Sequence, residues 1–253
     1  MSMGSIAVSS ITFVFVFGGG LLGMALRAVL PEHHLSSDSK DAVKVGMGLV
    51  ATMVALVLGL LIASAKSSYD TQNSELTDLS SKIILLDRVL AHYGPEAKEA
   101  RDQLRGTAVV ALAQMQSKDH EGPSQIEPPA THSEVLYDKI QALSPQNDAQ
   151  SSIKSQALNI AIGLGQTRWL MYEQTVGSVS PPLLIVLMFW LTALFISFGL
   201  FAPRNATVVV TLFVSAVSVS CAVLLILEMY SPYTGLIRIR DTPLRSALAH
   251  LGQ

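Results

Sequence analysis

Four hydroxyl side chains, Thr207, Thr211, Ser215 and Ser218, recur at steps of four and three in residues 205–227, a stretch without Asp, Glu, Lys, Arg or His. In a helix that spacing places them on one face, with Ala222 one turn further on. Hydroxyls so placed can replace part of an ion's hydration shell without bringing a fixed charge into a membrane. They can equally bond back to carbonyls of their own helix. A second stripe, Gly48, Thr52, Ala55, Gly59 and Ala63, runs through the uncharged residues 45–65. Its lack of bulk either lets transmembrane backbones approach closely or leaves room for an ion beside an aqueous axis. Both stripes are candidate pore linings. Phe13 and Phe17 stand four apart, and Phe195, Phe198 and Phe201 three apart. Such rings, repeated around an axis by several subunits, form a hydrophobic gate, or they pack and face lipid. Phe13 and Phe17 are the gate candidates.

Titratable groups near these stretches are few. Glu228 closes the fourth apolar stretch and is followed by Tyr230, Pro232 and Gly235, where the chain turns out. A carboxylate at that depth is paired or watered, and Arg168, Lys66 and Arg238 on the same side are its candidate partners, in an ion pair or at a mouth. Asp87 and Arg88 are adjacent, so on a helix they face different ways and bond different neighbours. Enzyme chemistry finds no foothold: there is no Gly-rich phosphate loop, HExxH, CxxC or nucleophile elbow. Glu32, His33 and His34 are the one tight set of metal-ligand types, and three consecutive residues do not converge on one ion. His92, His120, His132 and His250 are scattered, and the lone Cys221 supports no disulfide framework. No catalytic residue, metal or cofactor is expected.

The elements carrying these residues must cross a bilayer. Of 253 residues, 14% are charged and 50% apolar, against roughly a quarter charged in soluble domains. The charges are segregated: residues 67–180 hold 9 Lys/Arg and 14 Asp/Glu, net −5, and the remainder holds 8 and 5, net +3. Neither part has the dense basic surface that nucleic acid demands. A hydrocarbon core about 30 Å thick needs about 20 apolar helical residues, and four stretches meet this: 1–26, 45–65, 174–203 and 205–227. The first is too long, and too weakly charged at its start, for a signal peptide. The sequence therefore predicts a hairpin in 1–66 (spans about 5–27 and 44–66), a helical domain in 67–180, a second hairpin in 181–230 (spans about 181–203 and 206–229) and a C-terminal tail, 231–253. Pro203 stops the third span in a tight turn. An even number of spans puts the N-terminus, the insert and the tail on one side. That side carries Lys66, Lys82, Lys154, Arg168, Arg238, Arg240 and Arg245, against Arg27, Lys40, Lys44 and Arg204 opposite, which favours the cytoplasm.

The insert reads as helices throughout. No Gly or Pro interrupts 60–93, and Leu76, Leu79, Ile83, Leu86 and Leu90 recur at steps of three and four, the spacing of an apolar helical stripe. The second span thus continues out of the membrane as a helix from about Lys44 to His92, on the order of 70 Å long. Gly94 and Pro95 break it, and a helix to about Gln116 follows. Residues 117–133, with Gly122, Pro123, Pro128 and Pro129, form a loop. A short helix spans about 133–143, the run Ser144–Asp148 supplies a turn and cap, and Ile153, Leu158, Ala161, Ile162, Gly165, Trp169 and Tyr172 mark one more amphipathic helix.

Longer strings carry a resemblance. LPEHHLS (30–36), residues 46–66 ending GLLIASAK, LDRVLAHYGPEAKEAR (86–101), LSPQNDAQ (143–150), QTRW (166–169), 189–205 and 228–235 together resemble the bacterial bestrophin-like domain family over nearly the whole chain. The family's name implies kinship with bestrophins, oligomeric anion channels with a central pore, a narrow hydrophobic neck and a helical cytosolic region. Bestrophin necks carry bulky apolar side chains at four-residue spacing on the second span, whereas this chain has Gly48, Thr52, Ala55 and Gly59 there. It also lacks an acidic cluster for a calcium clasp. The expectation is an all-α, four-span inner-membrane protein whose partners are the lipid bilayer, further copies of itself and small inorganic ions, with chloride favoured by the resemblance. A subunit of four helices has little room for an internal aqueous path, so a pore would lie on a symmetry axis. The competing expectation is a non-conducting scaffold that docks a cytoplasmic partner on its helical domain, chiefly through residues 67–116.

Overall fold

The computed structural model of the chain describes residues 4–31, 36–116, 130–176, 181–233 and 235–252. Among these there is no strand. The helices are α1 (Ser5–Val29), α2 (Ser37–Tyr93), α3 (Lys98–Gln116), α4 (Ala130–Gln141), α5 (Asp148–Val176), α6 (Pro181–Phe201), α7 (Ala206–Met229) and α8 (Thr242–His250), with one 3-10 turn, Pro95–Ala97, ahead of α3. They form two compact units: Met1–Ser68 with Ser178–Tyr230, and Tyr69–Gly177 with Ser231–Gln253.

The first unit contains the four helical segments that are long and apolar enough to cross a membrane: α1, the N-terminal part of α2, α6 and α7. Val16, Val54, Leu61, Leu191, Phe195, Leu212 and Ala216 form its interior. Glycines set the spacing of α1 and α6. A methyl group on Gly23 would overlap the Ile196 carbonyl oxygen, and one on Gly199 would overlap that of Gly20. The two backbones therefore touch reciprocally, at a separation open only to residues without Cβ. Arginines pin the far ends. Arg27 of α1 donates to the Ala202 carbonyl after α6, and Arg204 donates through Nε (3.2 Å) and Nη2 (2.6 Å) to the Met24 carbonyl of α1. Each cation thus meets carbonyls at the C-terminal end of the opposite helix, where the dipole favours positive charge. Asn205 then caps α7, its Oδ1 accepting from Val208 N at 2.9 Å.

In the second unit, Leu76, Leu79, Ile83, Leu86 and Leu90 of α2 are all buried, as their spacing predicts, against Ala100 and Leu104 of α3 and Leu136 and Ile140 of α4. Gly94, at φ 126°, ends α2 in a left-handed conformation that suits glycine. The turn is stapled by Asp87, 2% exposed, which accepts from Arg101 Nε at 2.7 Å and Nη2 at 3.0 Å. The Gly252 N–H donates to the same carboxylate at 3.2 Å. Burial alone would raise the Asp87 carboxyl, but the bonds from Arg101 and Gly252 and the charges of Arg101 and Arg88 outweigh it and hold the group below its ordinary 3.8.

Three details depart from the sequence expectation. The helix expected at about 133 begins at Ala130, and residues 117–129 of the anticipated loop lie outside the described residues. On α5 the buried positions are Ala157, Leu164, Thr167 and Met171, while Ile162 and Trp169 are about half exposed. The stripe is rotated because polar bonds, not apolar area alone, orient the helix. Lys82 Nζ, paired with Asp78 at 2.8 Å, donates to Thr167 Oγ1 at 2.8 Å, and Gln174 Nε2 donates to Glu75 at 2.6 Å. The C-terminal residues are no loose tail: Ile239, Leu244, Ala247 and Leu251 join this core, and Gln116 donates to Asp241, the residue preceding α8, at 2.9 Å.

Candidate pore-lining and gate residues

Thr207, Thr211, Ser215 and Ser218 all lie exposed on α7. The opposite face of that helix, Leu212, Ala216, Ser220, Val223 and Ile226, is buried. Two of the hydroxyls bond back along the helix, Thr211 Oγ1 to the Thr207 carbonyl and Ser218 Oγ to the Val214 carbonyl, both at 2.9 Å. Back-bonding uses the hydroxyl's proton and leaves its oxygen lone pairs outward. The stripe therefore presents a weakly polar face, exposed within one chain.

The α2 stripe behaves alike. Gly48, Thr52, Ala55 and Gly59 are exposed, and a Cβ built on Gly48 or Gly59 meets nothing within 4 Å. Thr52 Oγ1 bonds back to the Gly48 carbonyl at 2.9 Å. Small residues that allow close approach inside the unit are found on α1 and α6 instead, so the α2 stripe packs against nothing in its own chain. Its apolar segment is the least covered of the four, with 11% of its residues buried against 28% in each of α1, α6 and α7.

Phe13 and Phe17 are half-buried and stack at 5.6 Å. Phe213 of α7 packs edge-on against both, with centroids at 5.6 Å, joining them in an α1–α7 aromatic cluster. Phe213 was passed over because it lies outside the four-residue repeat of span four. Sequence reasoning also missed Ser9, Thr12 and Ser220, which are buried within the first unit. Ser9 Oγ donates to the Ser220 carbonyl at 2.8 Å, an interhelical bond of the kind that joins membrane helices.

Of the ion-pair and mouth candidates, Glu228 is 4% exposed at the end of α7, and Lys66 is exposed on α2; both belong to the first unit. Arg168 and Arg238 belong to the second. Burial pulls the Arg168 guanidinium below its usual value, and Arg238 Nε donates to the Gly235 carbonyl at 2.9 Å. Next to Glu228, Tyr230 Oη and Ser64 Oγ share a 2.9 Å bond between α7 and α2. Among the described residues no three His, Cys, Asp or Glu side chains converge on a possible metal site; Glu32, His33 and His34 lie outside them.

The Bestrophin-like domain family matches residues 14–244. Among solved structures, a point-mutated bacterial bestrophin homologue from Klebsiella pneumoniae superposes with a TM-score of 0.68 at 12% identity, covering 96% of this chain and 98% of that one. At that identity the likeness is one of fold. No curated protein matches the sequence.

Proposed function

This chain belongs to the bestrophin-like family, and from that premise we propose that it is the subunit of a homo-oligomeric channel passing small ions, chloride among them, across the bacterial inner membrane. The observation that carries the reading is the outward direction of both small-residue stripes. In a self-sufficient helical bundle, small residues are turned inward, where they shorten helix separations, as Gly23 and Gly199 are. On α2 and α7 the bulk-free, weakly polar faces are left open, and on α2 the whole span is under-covered. Such faces find a use on a symmetry axis, where each copy contributes one wall of an aqueous path. Gly48, Thr52, Ala55, Gly59, Thr211, Ser215 and Ser218 are its proposed lining, with the Phe13–Phe17 cluster a candidate constriction and Glu228, Lys66, Arg168 and Arg238 candidates for the mouth. The helical domain and both termini are placed in the cytoplasm by the excess of Lys and Arg near the span ends on that side.

The test is ion flux from liposomes carrying the purified protein, with chloride and potassium gradients imposed separately. Wild-type protein is expected to pass chloride, and Ser218→Leu, assembled to the same size, to pass far less. Equal flux in the variant removes Ser218 from the lining. A second reading, a scaffold that docks a cytoplasmic partner, draws on Val109 and Val110 of α3, half and two-fifths exposed. An absence of flux from folded oligomer, across voltages and pH values, would transfer support to that reading.

A further inference from the structure

Arg27 and Arg204 stand at one end of α1, α6 and α7, and neither pairs with a carboxylate among the described residues; each spends donors on a backbone carbonyl, which leaves its charge uncompensated. Arg204 lines a cavity of about 380 Å³ together with Met24, Ala25, Asn205, Ala206 and Val209. The polar part of this lining offers donors. Asn205 Oδ1 is occupied by the Val208 N–H, so its amide turns the Nδ2 donor outward, and the Met24 carbonyl is already taken by Arg204. The remaining wall is apolar. A guanidinium and an amide donor at the rim of an apolar recess suit an amphiphile with an anionic, acceptor-rich head, and this recess lies at the end of helices that are long and apolar enough to cross a membrane.

We propose that this cavity binds a membrane phospholipid, its phosphate on Arg204 and Asn205 and the start of an acyl chain against Ala25 and Val209, with anionic headgroups preferred because two unpaired guanidinium groups share that end. The inference depends on the membrane reading of these helices and not on ion conduction, so it stands or falls without a flux measurement.

The experiment is native mass spectrometry of the full chain taken from nanodiscs of phosphatidylcholine containing graded phosphatidylglycerol, with thermal melts in parallel. Wild-type protein should retain phosphatidylglycerol through detergent exchange at least several-fold over phosphatidylcholine, and its melt should rise with phosphatidylglycerol content. Arg204→Gln should lose both effects, Arg204→Lys should keep part of them, and Val209→Phe, which fills the recess while keeping the charge, should lose retention. The Val209 variant keeps the test open if Arg204→Gln fails to fold. Equal retention of the two lipids, or retention unaffected in both Arg204→Gln and Val209→Phe, overturns the proposal. Displacement of the lipid by millimolar inorganic phosphate also overturns it, assigning the site to a free anion.

Discussion

Replacing Gly199 by Ala tests the closest approach in the membrane unit. The new methyl would overlap the Gly20 carbonyl oxygen and stand 2.9 Å from the Met24 nitrogen, where ordinary contact begins at 3.4 Å. That atom alone is 0.5 Å too near, the carbonyl overlap demands more, and both obstacles are helix backbone that cannot rotate away. Helix α6 must then withdraw by on the order of 1 Å, and overpacking of this kind costs about 1–3 kcal/mol. Withdrawal also opens the reciprocal Gly23–Ile196 contact, where a gap of 0.5–1 Å forfeits about a quarter to a half of each dispersion well and about 0.5–1 kcal/mol for each lost Cα–H···O contact. The sum is about 2–4 kcal/mol. Thermal unfolding in mild detergent, followed by tryptophan fluorescence, measures it. The control is Gly106→Ala on α3, where a methyl meets nothing within 4 Å and helix propensity gains about 0.5–1 kcal/mol. Gly199→Ala combined with Gly23→Ala should cost less than the two single changes together, because the first displacement makes room for the second methyl. If Gly199→Ala melts with the wild type while Gly106→Ala behaves as stated, the backbone contact between α1 and α6 is refuted.

The second unit offers further tests. Arg101→Met leaves the Asp87 carboxylate buried without its partner and should cost about 3–5 kcal/mol, whereas Asp87→Leu with Arg101→Met should return most of it; denaturant titration of both variants decides. Because the folded Asp87 carboxyl is held below its ordinary 3.8, its contribution is complete above that value and lost as pH falls through the depressed one. Unfolding free energies of wild type should therefore decline more steeply below about pH 4 than those of the Asp87→Leu, Arg101→Met pair, and parallel curves would contradict the assignment. Leu104→Ala, at a position 1% exposed, should destabilise by about 2–5 kcal/mol, and Val109→Ala, half exposed, by less than about 0.5. Phe213→Ala removes both edge-on contacts to Phe13 and Phe17 and should cost about 1–3 kcal/mol from the aromatic pairs alone, read by the same thermal melt.

Periodic features were legible in the sequence and pairwise ones were not. The stripe from Leu76 to Leu90 is buried as its spacing predicts, because a 3.6-residue period encodes a helix face whatever lies opposite. The break at Gly94–Pro95 was equally plain, since only backbone chemistry decides it. By contrast, α8 has a single turn of apolar side chains at each end, too short for its period to show, and the Arg27 and Arg204 bonds to carbonyls have no sequence signature. The α5 face was misread by about a third of a turn, because Lys82 and Gln174 orient that helix through partners far away in sequence.

The glycines make the sharpest case, and they bear on where a pore can lie. In sequence, Gly20 and Gly23 look no different from Gly48 and Gly59: small residues at helical spacing in an apolar stretch. The fold separates them. The first pair lies against α6 with backbone at contact distance, and the second faces open space. A residue that must be Gly for packing cannot also be tuned for conduction without loosening the unit, whereas Gly48, Thr52, Ala55 and Gly59 carry no such constraint within one chain. On the channel reading this divides the work of the membrane helices. Contact between α1 and α6 sets the rigidity of each subunit, and the free faces of α2 and α7 are available for neighbouring copies and the permeating ion. Substitutions on α2 should then alter assembly or conductance while leaving the subunit's own melt in place, the opposite of what Gly199→Ala does. A Gly59→Leu variant that melted early as an isolated subunit would break that division.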